Sequence, residues 1–161
     1  MERLWSPWRH EYITKVTEPK PADGCIFCDA HHANDDERSL VVYRGNFNFI
    51  ILNRYPYISG HLMIAPYQHL SDLDAAAKET TDELMDLAKR SQSALRAAYQ
   101  PEGFNVEMNL GRVAGAGVAD HFHLHMLPRW AGDTNFMTAV GDTRVLSEDL
   151  ATTYKKLHKQ F

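Results

Sequence analysis

The sequence predicts an α+β fold, an antiparallel five-stranded sheet covered by one long helix. Three observations predict it. Short apolar runs crowd together between residues 40 and 65 with brief links, a single long stretch of helical periodicity follows, and two further alternating runs come after it, the last carrying three histidines at two-residue spacing. Strands, then a helix, then strands, with no regular βαβ alternation, argue against a doubly wound parallel sheet.

Residues 1 to 38 read as irregular, with prolines at 7, 19 and 21 and a polar run, His31-His32-Ala33-Asn34-Asp35-Asp36-Glu37, that reads as a solvated loop. Strands are expected at Leu40–Tyr43, Phe47–Leu52 and His61–Ala65. The last two are joined by Asn53-Arg54-Tyr55-Pro56-Tyr57-Ile58-Ser59-Gly60, a hairpin-like connection. Such short links favour antiparallel pairing. Ser71 can cap a short helix, and Thr80 with Glu83 offers a capping box for a longer one. Leu84, Leu87, Ala88, Ser91, Leu95 and Ala98 recur at three- and four-residue intervals. They make one helix face that should cover the sheet and end near Gln100-Pro101-Glu102-Gly103. Phe104, Val106 and Met108 alternate with Asn105, Glu107 and Asn109 in a fourth strand, a glycine-containing loop follows, and the histidine row makes the fifth. A final helix is expected from about Ser147 to Lys156.

At 161 residues the chain suits one domain, expected to run over 1–161 with the irregular N-terminal extension and a C-terminal helical tail. A formal charge of −4 argues against generic nucleic-acid binding, so any nucleotide is bound locally. No apolar run approaches the length of a membrane span, and Met1-Glu2-Arg3-Leu4-Trp5 does not begin a signal peptide. A cytoplasmic protein with no membrane partner is therefore expected. Cys25 and Cys28 form the chain's one Cys-x-x-Cys pair, either a redox dithiol or half of a metal site. A thioredoxin-like role calls for a strand before and a long helix after. Here Pro19-Lys20-Pro21-Ala22-Asp23-Gly24 precedes and a polar stretch follows, which favours zinc.

The histidine row is the most informative segment. On a strand, His121, His123 and His125 would line one face while Phe122, Leu124 and Met126 pack the other. A rise of roughly 3.3 Å per residue separates His121 from His125 by about 13 Å, and metal–ligand bonds are only about 2 Å long. All three can hardly share one ion. Imidazole, with a free pKa of about 6.5, is a competent nucleophile or proton carrier at neutral pH. The residues alone leave open a solvated strand face, a metal site and a catalytic device.

His121-Phe122-His123-Leu124-His125-Met126-Leu127, extended by Pro128-Arg129, resembles the signature of the histidine triad superfamily of nucleotide hydrolases and transferases. Asn53 followed by Pro56, Gly60-His61, and Pro66-Tyr67-Gln68-His69 fall where members of that family carry related residues, so the resemblance covers most of residues 25 to 130. Leu4-Trp5-Ser6-Pro7-Trp8-Arg9 and Trp130-Ala131-Gly132-Asp133-Thr134-Asn135-Phe136-Met137 are similar to flanks of the bacterial branch that includes diadenosine tetraphosphate phosphorylases. The sequence does not separate two roles for Trp5, Trp8 and Trp130, covering the active site or packing a subunit contact.

The resemblance implies the histidine triad fold and a chemistry. His123 would attack the α-phosphorus of a nucleotide, giving a covalent nucleotidyl-histidine, with a main-chain carbonyl near the first histidine fixing its tautomer. His125 and amides of the loop Gly111-Arg112-Val113-Ala114-Gly115-Ala116-Gly117-Val118-Ala119, those of Gly115 and Gly117 foremost, would hold phosphate oxygens. Asn109 matches a phosphate-contacting position and Asn53 a ribose-contacting one. Many relatives carry glutamine or serine where this chain has Gly117 and Val118, a departure that affects side-chain contacts from the loop. Phe27 and Phe49 could contribute to a base pocket, but as apolar residues they are read as core. The resemblance also implies that His69 and His121 join Cys25 and Cys28 around a structural zinc, with His31 and His32 as competing ligands. His61 matches another recurrent family histidine, either a support for the triad or simply the start of a strand.

The implied substrate is a dinucleoside polyphosphate, diadenosine tetraphosphate foremost, with inorganic phosphate or water as acceptor; the flanks favour phosphate. A phosphoramidate hydrolase needs the same nucleophile, and a non-catalytic nucleotide-binding module is the alternative of another class. Relatives are commonly homodimers, which this composition permits.

Overall fold

The computed structural model describes residues 24–133 and 146–161. Trp5, Trp8, the first flanking motif and the second from residue 134 onward lie outside the described residues, as does the N-terminal extension before residue 24. From there the chain is more regular than expected. Helix α1 spans Ile26–His32 and helix α2 Asp36–Ser39. Phe27 and Ala30, three apart, bury one face of α1. The polar run that reads as a loop supplies α2 with its cap, because the Asp35 carboxylate accepts from Arg38 N–H at 3.0 Å. Arg44 then ties both helices to the sheet, donating to the Asp36 carboxylate at 2.7 Å and to the His31 carbonyl at 2.8 Å.

The sheet contains β1 (Val41–Arg44), β2 (Asn48–Leu52), β3 (Leu62–Pro66), β4 (Gly103–Met108) and β5 (Leu124–Arg129). They lie in the order β1-β2-β3-β5-β4, every neighbouring pair antiparallel. The α+β class and the five antiparallel strands are as the sequence predicts. Helix α3, Lys78–Tyr99, carries the chain from β3 to the far edge, so β5 enters between β3 and β4 as an inner strand. Leu84, Leu87, Ala88, Ser91, Ala94 and Leu95 are its buried face. Each buried leucine contributes about 1.5–3 kcal/mol by removal from water. The helix ends as expected, with Gln100 in the left-handed region just before Pro101.

Directly paired residues of neighbouring strands point to the same face. The pairs Leu62 with Met126 and Ile64 with Leu124 therefore mark one face, and Met63 with His125 the other. Gly60 shows which face carries α3. A Cβ there would lie 3.1 Å from Leu95 Cδ2 and 3.3 Å from Pro128 Cγ, and its φ of +82° favours glycine in any case. The histidines sit on the opposite face from α3.

Four expectations of detail are corrected. Thr80 is not a cap: α3 begins after Ala77, Thr80 is buried in the first turn, and Glu83 turns away to the β1–β2 connection. There it accepts from the amides of Asn46, Phe47 and Asn48 at 2.6–2.8 Å and from Asn48 Nδ2 at 2.9 Å. Four tertiary donors outcompete one helix-end amide. Ser71 precedes only a single 3₁₀ turn, Leu73–Ala75, with Asp72 in the cap position. The last helix, α4, runs Leu150–His158, starting where the Asp149 carboxylate accepts from Thr152 N–H at 2.8 Å rather than at Ser147. Finally, the strand ladder begins at Leu124, so His121 and His123 lie on the segment leading into β5, which Phe122 N–H anchors to the Leu70 carbonyl at 2.7 Å. Among the described residues no helix is long and apolar enough to cross a membrane.

Candidate active site and metal centre

The three histidines are all buried, at 0% exposure for His121, 5% for His123 and 7% for His125. This excludes the solvated strand face. Each ring has a different partner, and the partners fix where the protons sit.

His123 Nδ1 lies 3.0 Å from the main-chain carbonyl of His121. A carbonyl can only accept, so Nδ1 carries the proton and Nε2 the lone pair. Burial, and then the neighbouring His125, lower its pKa to about 4, although the carbonyl contact works in the other direction. Neutral imidazole with an available lone pair is the form that attacks an electrophile. Phe27, fully buried, packs against this ring at a centroid distance of 4.7 Å and against His121 at 5.2 Å. Sequence reasoning left Phe27 outside the site. The available signal was its place inside Cys25-Ile26-Phe27-Cys28, where a pinned pair of cysteines also pins the ring between them.

His125, the one triad member within the ladder, pairs with Met63 on β3 and Glu107 on β4. Its ring centroid is 4.7 Å from that of His123. Burial lowers its pKa too. His61, at the entry to β3, reaches it with Nε2 2.8 Å from His125 Nδ1. Asn53, the expected ribose contact, closes the β2–β3 connection: its Oδ1 accepts from Tyr55 N–H at 2.9 Å, and its Nδ2 is 3.4 Å from His61 Nδ1.

The glycine loop lies on the surface. Gly115, with φ +93°, ends a 3₁₀ turn at Arg112–Ala114, and its amide donates to the Arg112 carbonyl at 3.0 Å. The Ala116 amide donates to Gly111 O at 3.3 Å. Both amides serve the turn itself. Asn109 directly follows the last β4–β5 pair, Met108 with Leu124, just as His123 directly precedes it. It is therefore level with His123 at the end of the sheet.

His121 faces a second cluster. Its Nε2 is 2.9 Å from the Pro66 carbonyl, so the proton sits on Nε2 and Nδ1 keeps its lone pair. That Nδ1 lies 3.2 Å from Cys25 Sγ and 3.7 Å from Cys28 Sγ, while Cys28 Sγ is 3.3 Å from His69 Nδ1. All four ligand atoms fall within 4.8 Å of one another. Two sulfurs and two nitrogens at these separations match a closed tetrahedral zinc site, and the carbonyl on the far nitrogen is the usual partner of a ligating imidazole. The donor set fits the metal. His31 and His32 lie outside this cluster: their rings contact each other at a centroid distance of 3.8 Å, tilted by 41°, and His31 packs against Phe49 and Tyr67. Burial, and then contact with Cys25, push the Cys28 thiol up to about 11, the reverse of what a redox nucleophile needs.

Comparisons with known proteins agree with this geometry. The HIT domain family model matches residues 34–132. An AP-4-A phosphorylase of Mycobacterium tuberculosis is 35% identical over 98% of this chain and 83% of its own. An adenosine 5'-monophosphoramidase of Saccharomyces cerevisiae is 29% identical over 72% of this chain and 70% of its own. Among solved structures, a Zn-bound histidine triad family protein from Mycobacterium smegmatis superposes with a TM-score of 0.68 at 26% identity, over 85% of this chain and 92% of that one.

Proposed function

This chain belongs to the histidine triad (HIT domain) family, and on that footing we propose that it is a nucleotidyltransferase that cleaves dinucleoside polyphosphates, diadenosine tetraphosphate foremost, using inorganic phosphate as acceptor. The observation that carries the reading is His123, whose Nδ1–H is spent on the His121 carbonyl so that the lone pair is left on Nε2. The choice of substrate and acceptor is supported by the similarity to the mycobacterial AP-4-A phosphorylase along nearly the whole chain.

In this mechanism His123 Nε2 attacks the α-phosphorus in line, the N–P bond forms, and the P–O bond to the distal part breaks. ATP leaves from diadenosine tetraphosphate. Phosphate then attacks the same phosphorus, releasing ADP and restoring His123. One difficult displacement becomes two easier ones. The protein's share is positioning and charge stabilisation, which phosphoryl-transfer transition states chiefly require. We assign His125 to a phosphate oxygen or the leaving group, Asn109 and Gly117 to phosphate oxygens, and Asn53 to the ribose. Gly115 shapes the loop. Cys25, Cys28, His69 and His121 would hold zinc, which there supplies a cross-link between α1, the segment after β3 and the segment before β5.

The test is product analysis. Purified protein and a His123→Ala variant are incubated with diadenosine tetraphosphate, with and without phosphate. ADP and ATP formed in a phosphate-dependent way, and absent with the variant, are the expected result. AMP and ATP independent of phosphate would make the enzyme a hydrolase. Cleavage of adenosine phosphoramidate but not of the dinucleotide would favour the activity named for the yeast relative, and turnover unchanged in the variant would remove His123 from its role.

A further inference from the structure

The alternation of β4 puts Asn105 and Glu107, and Asn109 just after the strand, in one polar row, of which the mechanism above uses only Asn109. The ladder pairs Glu107 with His125 and Asn105 with Leu127 in unbroken register, so the row stands on the histidine face. Asn105 and Glu107 are both exposed. Arg129, at the end of β5, closes the strip. It donates from Nη1 to Asn105 Oδ1 at 2.6 Å, and from Nε and Nη2 to the Asp133 carboxylate at 2.5 and 3.0 Å. Asp133 is held in turn by Trp130 N–H, which donates to it at 3.1 Å. These bonds occupy three of the five N–H groups of the guanidinium and fix its plane. The Arg129 side chain is nevertheless 44% exposed. Because the paired carboxylate offsets its charge, the group offers a flat, fixed surface more than a free cation.

The direction of the reaction points along this strip. In-line attack by His123 expels the leaving group on the side of phosphorus away from that ring, and the next residue on the same face is His125. Arg129 lies roughly 13 Å beyond His125 along the strand. A leaving nucleotide that starts at His125 therefore runs toward Arg129, three phosphates first and a second adenosine at the end. We propose that the strip is a subsite for this leaving nucleotide, in which the Arg129 guanidinium stacks on the distal adenine and Asn105 Nδ2, its Oδ1 spent on Arg129, donates to an oxygen of the same nucleotide. Glu107 sets a condition on the segment between. An exposed carboxylate repels bare phosphate, so the chain that passes it carries a divalent cation. The Trp130-Ala131-Gly132-Asp133 turn thereby gains a task, since it supplies the carboxylate that fixes the platform.

The subsite rests on the proposed transferase reading, and its test compares two substrates alike up to the last phosphate, diadenosine tetraphosphate and adenosine 5'-tetraphosphate. Both are given to the zinc-loaded protein with magnesium and phosphate present. Wild type should prefer the dinucleotide in kcat/KM on the order of tenfold. Arg129→Ala should lose that preference and keep the wild-type value for adenosine tetraphosphate. Arg129→Lys retains the charge beside Asp133 but not the plane, and should lose it as well. Full preference in either variant would overturn the proposal. If neither folds, wild type decides with a dinucleotide whose second ribose is abasic: it should be as poor as adenosine tetraphosphate, and equality with the intact dinucleotide would exclude stacking. Glu107→Gln should narrow the gap in KM between magnesium-free and magnesium-replete assays, and an unchanged gap would remove Glu107 from the strip. Equal turnover of the two nucleotides by wild type would sink the subsite and leave the transferase standing. Turnover of neither would sink the transferase, and the subsite with it.

Discussion

At the scale of the residue, three imidazoles of one sequence motif are made unequal by the atoms beside them. His121 keeps its Nδ1 lone pair for the cysteines, His123 keeps its Nε2 lone pair, and His125 meets another histidine. His123→Ala should lower turnover by roughly 10⁴-fold or more, as loss of a covalent nucleophile does. The pH profile carries a second expectation. Burial, ahead of the His125 contact, holds His123 at about 4, below the ordinary histidine value, so the neutral nucleophile prevails at every pH above that. The acid limb of kcat/KM should therefore fall well below pH 6.5, with little change between about pH 6 and 8. A limb near 6.5 would show that the ring titrates as an ordinary histidine. Much of this was legible. The two-residue spacing pointed to a division of labour, and the ligand set implied by the family resemblance comes together in space. His61 remained undecided, because its role depends on a contact to a residue 64 positions away and on an amide donor that every residue type possesses.

At the scale of the element, strands and the long helix followed from periodicity, whereas ends and caps did not. Thr80 and Glu83 have capping-box spacing, but spacing cannot reveal that the β1–β2 turn brings four donors to the same carboxylate. Burial raises the Glu83 carboxyl; those donors outweigh it and hold it below the usual range. A folded value below the unfolded one stabilises the protein above the unfolded carboxylate pKa and ceases to do so as pH falls through the folded value. Glu83→Gln should thus cost about 2 kcal/mol in denaturant unfolding at neutral pH. The difference from wild type should shrink near pH 3; an equal deficit at both pH values would exclude the charge as the cause. Helix α1 was likewise hidden, since its seven residues are too few for periodicity to register. Cys25 at its N-cap and Cys28 within it give it a tether. Cys25→Ser should abolish stoichiometric zinc by metal analysis and lower the melting temperature, because binding to a structural site is folding free energy. Undiminished zinc would refute the ligand set.

At the scale of the whole molecule, the strand order determines which surfaces are available. The β1 edge is covered, with α2 and α4 packed on it and His158 Nδ1 3.1 Å from the Val42 carbonyl. The other edge, β4, pairs only with β5 among the described residues, and Val106 on it is 51% exposed. An open edge strand is a template for a second copy. Light scattering should therefore give the mass of a homodimer, and Val106→Lys should shift it toward monomer; a monomeric wild type would contradict this. The whole assembly serves one claim, that a nucleotidyl group passes through His123. The most direct measurement is mass spectrometry of the protein quenched during turnover of diadenosine tetraphosphate without phosphate. The account predicts an adenylyl group on the peptide containing His123, discharged as ADP when phosphate is added before the quench. Turnover with no adduct there, or an adduct on another residue, would contradict it.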